Sequence, residues 1–126
     1  MILDASALLV FLLAEPGQER VATALMDGAT MSTLNLAEVA ANYVSRGASA
    51  RAERLLQLLP VALVPVDEEL AAQSARMADL TWPTALSLGD RVCLALGQRL
   101  DEPILTADPG WLRIAQRAGA QVELVG

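Results

Sequence analysis

Four acids stand where a solvated surface does not explain them: Asp4 in MILDAS, Glu38 in NLAEV, Asp90 in SLGDR and Asp108 in ILTADPG. Asp4 closes an apolar run and is followed two residues later by Ser6, and Thr106 closes another and is followed two residues later by Asp108. Each run therefore offers one carboxylate and one hydroxyl at the same relative place. A carboxylate in so apolar a setting is costly without a partner. Four of them at one site repel each other, raise each other's pKa and destabilise the empty fold unless a cation is bound. A hard divalent ion, Mg²⁺ or Mn²⁺, takes oxygen ligands and keeps several waters, which suits a set of carboxylates and hydroxyls. Such an ion activates water and neutralises charge growing on a phosphoryl group. The chemistry this points to is metal-dependent phosphodiester hydrolysis.

Each acid also has an ordinary explanation, and the explanations differ in strength. Asp4 can cap the helix that follows it, and Asp108 before Pro109 has the pattern of an N-cap. Asp90 stands three residues after Ser87, the spacing of a capping box with Asp in place of Glu or Gln. Glu38 resists this treatment. It is the only charged residue between Thr33 and Ser45, and with Thr33 as the expected cap it lies too deep in its helix for a capping box. Its helical neighbours Leu34, Asn35, Ala41 and Asn42 make a face that is only partly polar. The remaining acids fit simpler roles, with Asp67, Glu68 and Glu69 at a helix start and Asp101 with Glu102 in a turn.

What the composition lacks narrows the chemistry further. There is no His, so no Ser-His-Asp or Cys-His machinery and no imidazole-bound zinc. There is no Lys, which removes the P-loop. The single cysteine, Cys93, excludes an internal disulfide and a multi-thiolate metal site, and its flanks DRVCLALG place it in an apolar core. A net charge of -6 disfavours binding nucleic acid mainly by phosphate neutralisation. Carboxylates, hydroxyls, backbone groups and Arg must do the work.

The elements that would position these groups are short and alternate in type. At 126 residues the chain is read as one domain, residues 1–126, burying roughly two thirds of its unfolded surface. Met1 to Leu3 reads as a strand, Ser6 to Ala14 as a helix, and a second helix opens with Pro16 in its first turn and closes at Gly28. The segment ATMST is a strand, and Thr33 caps a helix running to Arg46 with Gly47 as its left-handed terminator. A helix from Ala48 to Leu59, the strand VALVPV, and the helix DEELAAQSARMADL capped by Asp67 follow. After the loop TWPTALS, Ser87 caps a helix from Leu88 to about Arg99; the strand PILT, a helix opened by Asp108 and Pro109 and closed by Gly119, and the strand QVELV complete the chain. Short apolar strands separated by helices predict an α/β fold with a parallel sheet covered on both faces. In such sheets ligands bind beyond the carboxyl ends of the strands where strand order reverses. If the strands ending at Asp4 and Thr106 are neighbours, their carboxylates converge, and Glu38 and Asp90 lean back over the same edge.

No apolar stretch approaches the ~20 residues of a bilayer crossing. The first basic residue, Arg20, lies beyond the opening apolar run, unlike the positive start of a secretory signal, so a cytoplasmic, membrane-free protein is expected.

Taken together, Asp4 in LDASAL, Glu38 in NLAEV, Asp90 in SLGDRVCLALG and Asp108 in ILTADPGW resemble, in order and spacing, the acidic motifs of PIN-domain ribonucleases, and specifically the short VapC toxins of bacterial toxin–antitoxin pairs. The likeness extends over essentially the whole chain. It implies a PIN-like three-layer fold with a five-stranded parallel sheet, a Mg²⁺ or Mn²⁺ site, and cleavage of single-stranded regions of RNA. It implies that Asp4, Glu38, Asp90 and Asp108 hold the metal or position the attacking water, with Ser6 and Thr106 steadying the shell around it. It also implies a homodimer inhibited by a cognate VapB-type antitoxin. For RNA contacts the candidates are Arg46, Arg51, Arg54 and Arg91, set against solvated helix faces; Trp82 and Trp111 could stack on bases, set against core or dimer packing. The apolar surplus and the helix pair over residues 33–59 favour a hydrophobic dimer interface.

Two rival phosphoryl chemistries fail on residue counts. A haloacid-dehalogenase-like phosphatase needs a second Asp two residues after the first, where this chain has Ser6, and a Lys; a phospho-receiver domain also needs a Lys. A PIN-like module that binds without cleaving is the non-enzymatic alternative, and the full set of four acids weighs against it.

Overall fold

In a computed structural model, which describes residues 1–80 and 86–126, five strands form one sheet in the order β3-β2-β1-β4-β5 with every pairing parallel. The strands are β1 (Ile2–Leu3), β2 (Ala29–Ser32), β3 (Val61–Val64), β4 (Ile104–Thr106) and β5 (Val122–Leu124). The helices are α1 (Ala5–Leu12), α2 (Gln18–Met26), α3 (Thr33–Ser45), α4 (Ser49–Leu58), α5 (Glu68–Ala75), α6 (Leu88–Leu100) and α7 (Trp111–Ala118). The α/β three-layer architecture expected from the alternation of short apolar runs is the one observed.

Alternating side chains on the central strands divide the core in two. Ile2 and Ile104 pack with Leu70, Val92, Cys93, Leu94, Leu96, Trp111 and Ile114 from α5, α6 and α7 on one face. Leu3 and Leu105 pack with Ala7, Leu8, Val21, Met31, Leu36 and Val39 from β2, α1, α2 and α3 on the other. The register sets Ile2 opposite Ile104 and Leu3 opposite Leu105, so Asp4 and Thr106 emerge side by side at the carboxyl edge. From β1 the sheet grows outward to β2 and β3, and then on the opposite side to β4 and β5. The gap between β1 and β4 is therefore the point where strand order reverses, the place such sheets reserve for ligands.

Several boundaries differ from the sequence expectation for local reasons. The first helix starts at Ala5 because Asp4, and not a later residue, is its N-cap. Pro16 lies outside α2, which is entered through Gly17 at φ 100°. Ser32, the last residue of β2, caps α3 through Asn35 N, so Thr33 is already helical and its hydroxyl instead accepts from Val66 N at 3.3 Å. The helix α5 stops at Ala75, short of the run to Leu80, and gives way to turns. Asp108 does not cap α7: Gly110 occupies that place, and the Asp108 carboxylate accepts from Gly110 N at 2.9 Å, closing a turn ahead of the helix. Trp111 is core, 3% exposed, which removes it from any role in base stacking; Trp82 lies outside the described residues. Cys93 is fully buried, as its apolar flanks require. Among the described residues no helix is long and apolar enough to cross a membrane.

Candidate active site

Asp4 sits at the junction of β1 and α1, 5% exposed, and nearly every hydrogen-bonding group around it is aimed at its carboxylate. Ser6 Oγ donates to its two oxygens at 2.7 and 2.9 Å, Ala7 N donates at 2.8 Å, and Thr106 Oγ1, from the neighbouring strand, donates at 2.7 Å. The same two hydroxyls reach the loop after β4, accepting from Ala107 N at 3.0 Å and Asp108 N at 3.1 Å. Ser6 and Thr106 thus act on Asp4 directly, and tie the ends of β1 and β4 into one rigid edge.

Glu38 and Asp90 approach from α3 and α6. Ser32 Oγ accepts from Asn35 N at 3.0 Å and donates to Asn35 Oδ1 at 2.6 Å, which fixes the Asn35 amide. Asn35 Nδ2 then donates both to Glu38 Oε2 and to Gly89 O, each at 3.1 Å, and so joins the Glu38 carboxylate to the first turn of α6. Asp90, one residue later, completes the capping box its spacing suggested: Asp90 N donates to Ser87 Oγ at 3.2 Å and Ser87 N donates to Asp90 Oδ2 at 3.3 Å. The cap engages only Oδ2, so the ordinary explanation for Asp90 and a functional one coexist. Asn35 and Gly89 were not singled out from the sequence. Their only signals there are a polar residue one turn before Glu38 and a glycine inside a capped helix.

The charges of these acids act on one another. Burial pushes the Asp4 carboxyl above its ordinary value against the hydrogen bonds from Thr106, Ala7 and Ser6, and the charge of Asp90 adds to the rise. Glu38 is exposed as a residue, yet its carboxylate end is pressed against Asn35 and Gly89; loss of water there raises it, opposed by the Asn35 bond and reinforced by Asp90. The buried Cys93 thiol is pushed well up, by burial first and then by Asp4, Asp90 and Glu38, all three of which reach its position. Among the described residues, no basic side chain contributes to the shift of Asp4 or Glu38, and the ion pairs seen involve neither them nor Asp90.

Asp108 is brought to the same edge by its backbone, but its carboxylate turns to Gly110. Among the described residues no three acids or thiols are close enough to clasp one ion between them. The side chains at this edge are all oxygen donors, the chemistry a hard divalent ion takes.

The raised pKa values make a stability prediction with a definite sign. Between the ordinary carboxylate value and the raised one, the folded state binds more protons than the unfolded state, so stability falls as pH rises through that window. Asp67 works in the opposite sense. Its carboxylate is lowered by the Leu70 N–H and by Arg99, so its contribution to stability grows as pH rises from its folded value to the ordinary carboxylate value and is fully present above that. In chelator, Asp4→Asn is expected to remove part of the decline: thermal melts across the acidic range should show a flatter profile for the variant. Parallel profiles would mean that Asp4 carries no penalty.

The arrangement has counterparts. A family model described as PIN domain matches residues 1–117. Among solved structures the fold is similar to a DNA-bound VapBC from Salmonella typhimurium, with TM-score 0.74, 15% identity, and coverage of 99% of this chain and 97% of that one. It is similar to VapBC2 from Rickettsia felis bound to a promoter DNA fragment, with TM-score 0.73, 9% identity, and coverage of 98% and 96%. It is also similar to VapBC-5 from Mycobacterium tuberculosis, a member of the VapBC family of toxin–antitoxin systems, with TM-score 0.60, 20% identity, and coverage of 98% and 94%. No curated protein matches the sequence.

Proposed function

The chain belongs to the PIN-domain family, and we propose that it is a Mg²⁺- or Mn²⁺-dependent endoribonuclease of the VapC toxin type, cutting single-stranded regions of RNA and inhibited by a VapB-type antitoxin. The observation that supports this reading is the carboxyl edge at the sheet's reversal point, where Ser6, Ala7 N and Thr106 hold the Asp4 carboxylate and Asn35 ties the Glu38 carboxylate to Gly89, the residue before Asp90. An all-oxygen set with surplus negative charge suits a hard cation. A divalent ion bound there supplies positive charge against the phosphoryl oxygens and acidifies the attacking water.

The residues divide the remaining work. Asp4, fixed by Ser6, Ala7 N and Thr106, is the rigid ligand; Asp90 offers the oxygen its cap leaves over; Glu38 completes the set from α3. Asp108, exposed beyond β4, positions the attacking water at the rim. Arg91 follows Asp90 at the start of α6 and is only half-buried, Arg46 lies exposed in the link after α3, and Arg51 and Arg54 lie exposed on α4; these are the candidates for RNA phosphate contacts. The exposed Val44, Leu56 and Leu58 support a homodimer contact through α3 and α4. The antitoxin partner rests on the resemblance and on the toxin–antitoxin complexes among the similar folds.

Incubating the purified chain with single-stranded RNA tests the reading. Cleavage should appear with Mn²⁺ and vanish with chelator. Metal binding without cleavage would leave a binding module, and an absence of Mn²⁺ binding would remove the metal reading altogether.

A further inference from the structure

Gly89 stands at the second position of α6, behind the cap Ser87, where alanine is the better helix former and glycine one of the poorest. It is not among the glycines with positive φ, which are Gly17, Gly28, Gly47 and Gly119, so its backbone makes no demand for glycine. What a side chain there would meet first is a single group. The three nearest atoms to an added Cβ all belong to the Glu38 carboxylate, and all are closer than real contacts allow. Gly97 in the same helix is different, because a Cβ there would strike Ile104 in the core.

We propose that Gly89 and Asn35 form a seat for the Glu38 carboxylate: Gly89 supplies the missing volume, Asn35 the hydrogen bond that holds it, and together they fix Glu38 beside Asp90. Both are positioning residues, since they act through Glu38. Asn35 is 2% exposed and its side chain is fully engaged, bonded to Ser32, Glu38 Oε2 and Gly89 O, so it locks α3 to α6 at the point where the carboxylate lies. The atoms a methyl group at residue 89 meets first are the far end of a flexible side chain. The fold tolerates that movement, whereas the metal site does not. Helix propensity at this position is thus given up for geometry at the site.

The inference rests on Glu38 serving a metal site, and the test separates the two. Mn²⁺ alone is titrated calorimetrically into the full chain as wild type, Glu38→Gln, Gly89→Ala and the double variant, and each is melted in chelator. Gly89→Ala should weaken Mn²⁺ binding by about 10- to 100-fold, the range for losing a residue that orients a ligand. It should melt no lower than wild type in chelator, and the double variant should bind no worse than Glu38→Gln. Wild-type affinity in Gly89→Ala, with Glu38→Gln impaired, would overturn the seat and leave the metal reading standing. Losses that multiply in the double variant would also overturn it, because Gly89 would then act elsewhere. Full affinity in Glu38→Gln, or no binding by wild type, would remove Glu38 from the metal site and the seat with it. Should Gly89→Ala not melt cooperatively, Asn35→Ala, which removes the donor without adding bulk, supplies the same cycle against Glu38→Gln.

Discussion

Replacing Asp90 by asparagine is expected to reduce Mn²⁺-dependent RNA cleavage by about 10³-fold, roughly 4 kcal/mol of transition-state stabilisation, while the metal-free protein melts no lower than wild type. The two halves of this expectation come from different oxygens. Burial is the first cause that raises Asp4 and Glu38, and the charge of Asp90 adds to both, so a cation beside Asp90 would relieve repulsion felt by all three. Its Oδ2 also accepts from Ser87 N, a structural duty an asparagine oxygen can perform as well. Asparagine therefore keeps the cap, removes the charge and eases the repulsion in the empty site. Alanine leaves Ser87 as the cap but also removes the acceptor for Ser87 N, and Asp90→Ala should lose about 1 kcal/mol of stability in chelator. RNA cleavage assays and melts in chelator on both variants decide the matter. Near-wild-type cleavage by Asp90→Asn would reduce Asp90 to its capping role.

How much of this site could be read from sequence depends on how far apart in the chain its contacts lie. Asp4, Ser6, Thr106 and Asp108 were legible because each stands at or just after the end of a strand at fixed spacing, and the pairing of β1 with β4 brought the two hydroxyl–carboxylate pairs to one edge. Asp90 was legible as a cap, and the box is present. Glu38 was legible only by elimination, as an acid with no local duty. The reason it has none is non-local: its carboxylate is held by Asn35 against Gly89, across 54 positions of sequence. No periodicity reports a contact of that kind. The Asp108 side chain was misjudged because a proline after an acid suggests a cap, whereas Pro109 and Gly110 make a further turn before α7 begins. Ser32 displaced Thr33 as the cap of α3 because β2 runs directly into the helix, leaving its last residue in the extended conformation a cap requires. Trp111 shows the reverse: a residue with two readings was settled by burial alone.

Asp4 should behave differently from Asp90, because it supports the fold as well as the chemistry. Asp4→Ala removes the cap of α1 and strands the Ser6 hydroxyl, the Thr106 hydroxyl and Ala7 N, all of which donate to its carboxylate. Each buried donor left without an acceptor costs about 1–3 kcal/mol, offset in part by the relief of burying a carboxylate. A net loss of about 3 kcal/mol is expected, with a Tm lower by about 10 °C for a domain of this size. Asp4→Asn keeps an oxygen for Ala7 N, presents an amide to Thr106 or Ser6, and abolishes the charge. It should stay within about 1 kcal/mol of wild type yet lose cleavage as completely as Asp90→Asn. The comparison separates a ligand from a girder. If both Asp4 variants lose stability equally, the carboxylate is chiefly structural and the loss of cleavage says nothing about metal. If only Asp4→Ala loses stability while both lose cleavage and Mn²⁺ binding, the charge on Asp4 is kept for the cation. The three donors around it then serve to hold a buried carboxylate in place at the edge of the sheet.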